Sequence, residues 1–524
     1  MGRRQCRRGR PHRHEAQPRG HLRGDEGRVG SVQEVHLRRG GDEGRPGLLR
    51  AEPPPLDDRA AQQRAQVQAG ARRRRGGHQP VRAEITGAAV LLITDGQVLA
   101  AGDAPPAPAD VLVDGDRIVA VGPGLTAPPD ATRLDATGKL VVPGLINAHT
   151  HAHNNLIKGV ADSVTLEPFL NTGPAMYLGR TPEEQYLSAL LGAVEMVKTG
   201  CTSAYDLFMA LPSPSIESVE AVVRAYADAG VRALVAPAVA DLLFYEWVPG
   251  LMDALPDDLR KEVERRRPAS GPDILKVVRE GLLRFHDTAG GRVRLAVAPT
   301  IPAQCTDDFL LASRRLADEF GVGLHTHLAE SKVQALSGRR RYGRSLTRHL
   351  HDVGILGPCF TAAHAVWLDA DDIALMADTG SSVAHNPASN MKVASGIAPV
   401  AEMLARGVNV ALGTDGSGAS DNQNMFEALR FAALLSKVRS PDYPGWLTAE
   451  QTLRMATTGG AHALGLGDRL GQVARTSTRS ISARSTTRRD SSSSAKPVAG
   501  SRRCWWAAAS SSRAAASSPS TRPS

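Results

Sequence analysis

The sequence predicts an α/β protein: a (β/α)8 barrel with a small, incomplete β-sandwich module, flanked by disordered basic tails. Three observations lead there. Short apolar runs ending in polar or small clusters recur eight times between residues 140 and 412, and helical stretches separate most of them. Strand and helix alternating in this way specify a parallel sheet, and eight units is the number that closes a barrel. Several of the runs end in His, Glu or Asp, as expected where strand C-termini build an active site. Composition also changes abruptly on both sides of this body.

Taken in order, residues 1–83 are rich in Arg, Gly, Pro and Gln, include Arg72, Arg73, Arg74 and Arg75 in succession, and show no apolar periodicity. Such a segment cannot bury enough surface to offset its ordering entropy, so 1–84 reads as a disordered tail. Residues 85–142 give a small β-module with strands at 89–93, 97–100, 110–113 and 117–121. Asp95 and Gly96 are expected to turn between the first two, Asp114 and Gly115 between the last two. The barrel is assigned to 143–465, with strands at 140–146, 201–205, 233–239, 293–298, 322–324, 359–363, 382–384 and 408–412. Helices are expected at 183–199, 216–229, 308–320, 370–379 and 397–406. From 466 to 524 the chain turns Ser/Arg-rich, with Ser491, Ser492, Ser493 and Ser494 in succession. This aberrant tail stands where further module strands are needed, and a sheet left short of partners exposes its edges. Both ends change so sharply that translation out of frame is one reading of them. One clean open frame through both junctions on resequencing would exclude it.

The 524-residue chain carries a net charge of +9 that its ends conceal. Residues 1–83 hold 20 Lys/Arg against 9 Asp/Glu and residues 471–524 hold 10 against 1, so the ends supply +11 and +9 and the body −11. An acidic body favours solubility and says little about substrate. The Arg-rich ends could attract nucleic acid, but a solvated tail is the plainer account. Five scattered cysteines without a CxxC pair argue for a reducing compartment. No run reaches the roughly 18 apolar residues of a membrane span, and no secretory signal pattern is present. A cytoplasmic protein is expected.

The chemistry begins at His149 and His151, which follow the apolar run 140–146. Residues two apart on a strand point the same way, so both imidazoles can grip one ion. His327 with Glu330, His364, His385 with Asn386, and Asp415 stand at four later strand ends. Sixteen histidines are spread along the chain, so one alone means little, but five strand ends carrying His or Asp form a constellation. Imidazoles with a carboxylate suit Zn2+, with Fe2+ as second choice, over Mg2+ or Ca2+. Such an ion lowers the pKa of a bound water toward neutrality. Glu330, three residues beyond His327, is placed to act as base. Geometry alone leaves His325 against His327, and His151 against His153, open.

The PGLINAHTH segment at 143–151, HTHLAES at 325–331, the AH pair at 363–364, SVAHNPASNMK at 382–392 and LGTDGSGASDN at 412–422 resemble the amidohydrolase superfamily. Within it the chain is most similar to the branch of deaminases and triazine hydrolases that includes S-adenosylhomocysteine and 5-methylthioadenosine deaminases, over roughly residues 88–470. The resemblance implies a TIM-type barrel and one divalent metal held by His149, His151, His327 and Asp415. The lysine that two-metal members carry at the end of strand four is absent, since that strand ends Ala298, Pro299, Thr300.

By the same resemblance the activity is deamination of a heterocyclic amine, by attack of metal-bound hydroxide on the carbon bearing the amino group. Glu330 would shuttle the proton and His364 would steady the attacking oxygen. Asp415 would bind metal and pass a proton to departing ammonia. His153, Asn386 and Asn390 are candidate substrate contacts. Phe169 stands near a position where the nucleoside deaminases place Trp, and neither their ribose-gripping Glu nor their strand-three Arg is evident. Purine, pyrimidine, adenosine-type nucleoside and triazine all therefore remain open as the small-molecule substrate reacting with water. A dechlorinating or cyclic-amide hydrolase in the same pocket is the alternative, and a chain whose altered ends prevent folding is a third. Helices outside such barrels often pair subunits, so a homo-oligomer is compatible with this reading.

Overall fold

In the computed structural model residues 89–101, 105–160 and 162–474 are described; the tail expected at 1–84 lies outside them, and so does the tail expected at 466–524 except for 466–474. The small module is one five-stranded sheet. Strand β1 (Val90–Val98) runs through its middle, antiparallel to β2 (Ala107–Asp114), which pairs with β3 (Arg117–Gly122). On its other side β1 pairs in parallel with β4 (Thr132–Asp135) and β5 (Leu140–Val141). Asp114 opposes Arg117 across a two-residue loop in which Gly115 takes φ 60°, so that expected turn is present.

The other expected turn is not a turn. Asp95 and Gly96 sit inside the continuous strand β1 as a bulge, where the register shifts between Ile93 and Gly96. Asp95 takes φ 58°, and its N–H donates to the Asp110 carboxylate of the facing strand at 3.0 Å. That side-chain acceptor holds the bulge and lets the strand run on. Strand β4 is exposed along its whole length, and Leu134 and Leu140 are each more than half exposed, as an edge without a cover would be. Among the described residues the chain returns to the module at Val473. The Val473 N–H donates to the Ala100 carbonyl at 2.8 Å, and Val473 packs against Val98 and Val111.

The run expected as one strand at 140–146 is two. Leu140–Val141 completes the module, whereas β6 (Leu145–Thr150) opens the barrel. Pro143 between them has no amide hydrogen to donate to a ladder. Gly144 lies so close to the Thr202 side chain that any Cβ there would overlap it.

From β6 the ring proceeds through β7 (Cys201–Phe208) and β8 (Arg232–Val239). Barrel strand four comes in two pieces, β9 (Val293–Leu295) and β10 (Ala298–Pro299). Then follow β11 (Leu324–Leu328), β12 (Phe360–His364), β13 (Ser382–His385) and β14 (Asn409–Leu412). All pair in parallel. The seam between β10 and β11 is closed by Val297 N–H to Gly323 O at 3.1 Å and His325 N–H to Val297 O at 3.0 Å. Asp415 N–H to His149 O at 2.9 Å closes the ring. This is the (β/α)8 barrel expected from the alternation.

The expected fifth strand, 322–324, falls short. β11 extends through His325, Thr326 and His327, polar residues that read as a loop. Leu324 and Leu328 pack with the layer beneath the helices, so the alternating His325 and His327 face the barrel interior. The interior layer is built largely from small residues, Ala236, Ala238, Ala298, Ala384 and Ala411 among them, beside Tyr205 and Leu207. Small side chains there leave volume for a group of imidazoles.

The outer helices form where apolar spacing and caps agree. Pro182–Lys198 starts at Thr181, whose hydroxyl accepts from Glu184 N–H while Glu184 reaches back, a complete capping box. Ile216–Ala229 starts in the same way at Ser215 and stops at Gly230, which takes φ 74°. Among the described residues no helix is long and apolar enough to cross a membrane.

Candidate active site

At the C-terminal end of the barrel, ligand-bearing atoms converge from four strand ends. His149, His151 and His327 offer nitrogens that all lie within 4.8 Å of one another, and so do the ligating atoms of His149, His364 and Asp415. His151 Nε2 lies 3.1 Å from His327 Nε2 and 3.1 Å from Asp415 Oδ1. His149 Nε2 lies 3.5 Å from the same carboxylate oxygen. All these side chains are buried.

Each imidazole is turned inward by a specific partner. The His151 Nδ1–H donates to the Leu207 carbonyl on β7 at 2.6 Å, which leaves Nε2 as a lone pair facing the centre. His327 Nδ1 lies 2.6 Å from Thr300 Oγ1, just past β10, and donation to that hydroxyl leaves its Nε2 facing inward too. His149 has neither ring nitrogen hydrogen-bonded, although it is fully buried. Inward lone pairs around one carboxylate, with an orphaned imidazole among them, are the donor set a divalent cation satisfies. The cluster is able to hold a metal ion, and the residues present fit one.

Electrostatics agree with that donor set. Burial pushes His149 down to about 3 and His327 well below the usual imidazole range, so both are neutral at pH 7. Burial would also lower His151, but the neighbouring Asp415 carboxylate outweighs it and raises it. Burial alone would raise Asp415. The His149 and His151 imidazoles packed against it reverse this and hold it well below the carboxylate range. Asp415 is the site's standing negative charge.

Glu330 follows β11 by two residues and is buried. Burial, then repulsion from Asp415 and Glu167, pushes its carboxyl well above the usual range. Its backbone N–H donates to Gln334 Oε1 at 3.0 Å, which fixes the turn that presents it. Ser331, next in sequence, donates its hydroxyl to Glu167 on the helix Leu166–Tyr177. His364 ends β12 with Nδ1 2.9 Å from Asn390 Oδ1 and 3.5 Å from Glu330 Oε1. Several of these residues are strained: His364, Ala365, Ala329, Asp415 and Ile301 all take φ between 44° and 68° without being glycine. Each such conformation costs roughly 1–3 kcal/mol and persists where surrounding structure over-determines it. Here the strain concentrates at the strand ends that carry the polar groups.

A cavity of about 240 Å³ opens onto this cluster, and His151, His327, Glu330 and Asp415 lie in its wall. The rest of the wall is mainly apolar and aromatic, with Phe169, Leu170, Tyr177, Met209, Phe244 and Tyr245. His153 also lines it. Its Nδ1 accepts the Met209 N–H at 3.0 Å, so the neutral ring presents Nε2–H as a donor.

The expected site residues divide accordingly. His149, His151, His327, Glu330, His364 and Asp415 come together, and His153 faces the cavity. Asn386 and Asn390 do not reach its wall. Asn390 is fully buried against His364, and Asn386 lies beneath, against Gly413 next to the His149 backbone. Their contact is with the site's supports, because the strand ends above them fill the intervening space. His325 lies deeper, edge-on to Tyr205 with ring centroids 4.4 Å apart.

Reading the sequence missed Thr300, Tyr177 and the Leu207 carbonyl. Thr300 stands at a strand end and was visible there by position. A backbone carbonyl leaves no mark in sequence. Asp206 on β7 was missed as well: its carboxylate accepts the Ala152 N–H at 2.8 Å and pins the turn that follows His151.

The model of the amidohydrolase family matches residues 140–475. A 5'-deoxyadenosine deaminase of Methanothermobacter thermautotrophicus is 36% identical over 377 residues, 72% of this chain and 80% of the relative. A 5-methylthioadenosine/S-adenosylhomocysteine deaminase of Symbiobacterium thermophilum is 36% identical over 69% of this chain and 77% of its own. Among solved structures, an adenosine deaminase from Xanthomonas campestris with bound zinc superposes with a TM-score of 0.64 at 29% identity, over 74% of this chain and 82% of that one. An atrazine chlorohydrolase from Arthrobacter aurescens complexed with zinc gives 0.67 at 28% identity, over 74% and 85%.

Proposed function

Because the chain belongs to the amidohydrolase family and is a hydrolase of C–N bonds, we propose that it deaminates an adenosine-type heterocyclic amine at the cavity above β6, β11, β12 and β14. The observation that carries this is the convergence of His149, His151, His327 and Asp415 on one point, with Glu330 and His364 beside it and an aromatic cavity in front. Relatives whose names specify adenosine-type deaminases support the substrate class.

His149, His151, His327 and Asp415 would hold one divalent ion. Zn2+ is the choice, because the donor set is three imidazoles and a carboxylate and the solved relatives carry zinc. When bound, such an ion supplies Lewis acidity and makes an attacking water acidic near pH 7. No lysine stands at the end of β10 to bridge a second ion.

Glu330 is the proton carrier. Its raised pKa lets it take the proton of the attacking water and hand it to the adjacent ring nitrogen, and its position at the cavity wall allows both contacts. His364 donates Nδ1–H to Asn390, which leaves Nε2 to accept from the water and orient it. Asp415, held ionised, accepts the next proton and passes it to the leaving amine. His153 offers its Nε2–H to an acceptor on the substrate. The ring would lie among Phe169, Tyr177 and Met209, and walls this apolar favour an uncharged substituent on the sugar side.

The test is a panel of adenosine, 5'-deoxyadenosine, 5'-methylthioadenosine, cytosine, guanine and a chlorotriazine, with ammonia and chloride followed together. Ammonia release from the adenosine compounds in preference to the others supports the reading. Chloride release from the triazine with no ammonia from any nucleoside refutes it in favour of dechlorination.

A further inference from the structure

A second cavity, of about 280 Å³, opens on the outside of the barrel and shares no lining residue with the first. Three segments wall it: residues 397–405, the later turns of the helix Met425–Arg439, and the loop 440–447. Ile397, Ala398, Val400, Ala432, Leu435 and Leu447 make it apolar. His385, the last residue of β13, also lines it; it is only 2% exposed, and among the described residues its Nδ1 has no hydrogen-bond partner. A buried imidazole nitrogen without a partner is a penalty that a hydrogen-bonding ligand would relieve.

The rim decides the charge of that ligand. Among the described lining residues Arg439 is the one arginine or lysine, and it is already committed: Nε lies 3.1 Å from Glu402 Oε1, and a guanidinium N–H donates to the Ile397 carbonyl at 2.8 Å. An anion entering here would meet Glu402 and Asp442 with no uncommitted cation among the described lining residues to offset them. Burial pushes His385 down to about 3, so at neutral pH it is an uncharged ring with one donor and one acceptor. A charged group would have to be desolvated against it without compensation.

We propose that this cavity is a binding site for a compact, neutral molecule with an apolar body and one hydroxyl group, the hydroxyl seated against His385. The proposal is independent of the reaction assigned to the first cavity. The site is nevertheless mechanically close to it. The His385 carbonyl accepts the Gly413 N–H at 2.9 Å, two residues before Asp415.

The experiment uses the full chain and 4-bromophenol, with bromobenzene as the probe lacking the hydroxyl. Crystals soaked in each are examined for bromine by anomalous scattering, and affinities are measured by equilibrium dialysis. The expected result is a bromine in this cavity with the phenol oxygen at His385, and bromobenzene binding roughly fivefold more weakly or less well still. Ala401→Trp, at the half-buried wall, should abolish the peak. Ala405→Phe, at the exposed rim, is the second filler if the first variant fails to fold. Bromine found nowhere at about 5 mM, or only in the cavity at Glu330, overturns the proposal. Equal affinity for the two probes overturns the assignment of His385. A segment of this chain or a second copy seated in the cavity overturns it as well.

Discussion

Replacing Thr300 by valine would remove one oxygen and keep the shape. Thr300 Oγ1 lies 2.6 Å from His327 Nδ1, and both residues are buried. Without that acceptor the Nδ1–H of His327 has no partner in the tautomer that aims Nε2 at the centre. Leaving a buried donor unsatisfied costs about 1–3 kcal/mol, or between about 5-fold and 150-fold in metal affinity. Partners of metal-bound histidines are worth about 10- to 100-fold when removed, which falls inside that range. Chelator competition measures the affinity directly, and Thr300→Ser, which keeps the hydroxyl, is the control. Thr300→Val should bind zinc at least about tenfold more weakly than wild type, with Thr300→Ser close to wild type. If Thr300→Val binds zinc within about twofold of wild type, Thr300 does not orient His327 and the donor geometry argued here is wrong.

Other perturbations test neighbouring parts. Glu330→Gln should lower ammonia release by roughly 10²- to 10⁴-fold while zinc content stays at the wild-type level; loss of zinc instead would make Glu330 a ligand. In metal-free protein, Asp206 is pushed by burial from 3.8 up to about 7. An acid raised in this way stabilises the fold fully below its unfolded pKa, and that contribution is lost as pH rises toward 7. Asp206→Asn, still able to accept from Ala152 N–H, should therefore gain stability relative to wild type as pH rises from 4.5 to 7.5, by up to about 3 kcal/mol in denaturant unfolding; parallel curves would refute the assignment. Gly413→Ala would place a Cβ 2.8 Å from the His149 carbonyl oxygen and 2.9 Å from His149 Cβ. That overlap should cost about 1–3 kcal/mol of stability and part of the zinc affinity, measured by denaturant unfolding and chelator competition, and an unaffected variant would show that the strand ends can slide apart.

The barrel was legible because its signal is repeated. Eight apolar runs separated by amphipathic, capped segments constrain one another, and an error in one boundary leaves the count intact. What failed did so locally. His325-Thr326-His327 has no apolar periodicity, and only the closed ring makes an inward-facing imidazole strand sensible. Asp95-Gly96 has the composition of a turn, but the Asp110 carboxylate across the sheet turns it into a bulge. The run at 140–146 looked continuous because Leu140, Val141, Leu145 and Ile146 are alike, while Pro143 and Gly144 divide them between two sheets.

At the site, the groups that meet at its centre were visible as residue types at strand ends, and their supports were not. Thr300 and Asp206 are common residues that become specific only through what lies 2.6–2.8 Å away. Asn386 and Asn390, attractive as substrate contacts by position, lie behind the residues that face the cavity. The aromatic wall at Phe244 and Tyr245 comes from the segment after β8, which carries no periodicity to reveal its direction.

The most direct test is metal stoichiometry measured together with turnover. Zinc bound per full-length chain should approach one, and ammonia release from 5'-deoxyadenosine should rise in proportion to zinc added back to chelated protein. Replacing His149 or Asp415 should abolish both together. A chain that binds no zinc, or that releases ammonia at the same rate with and without it, would contradict the account.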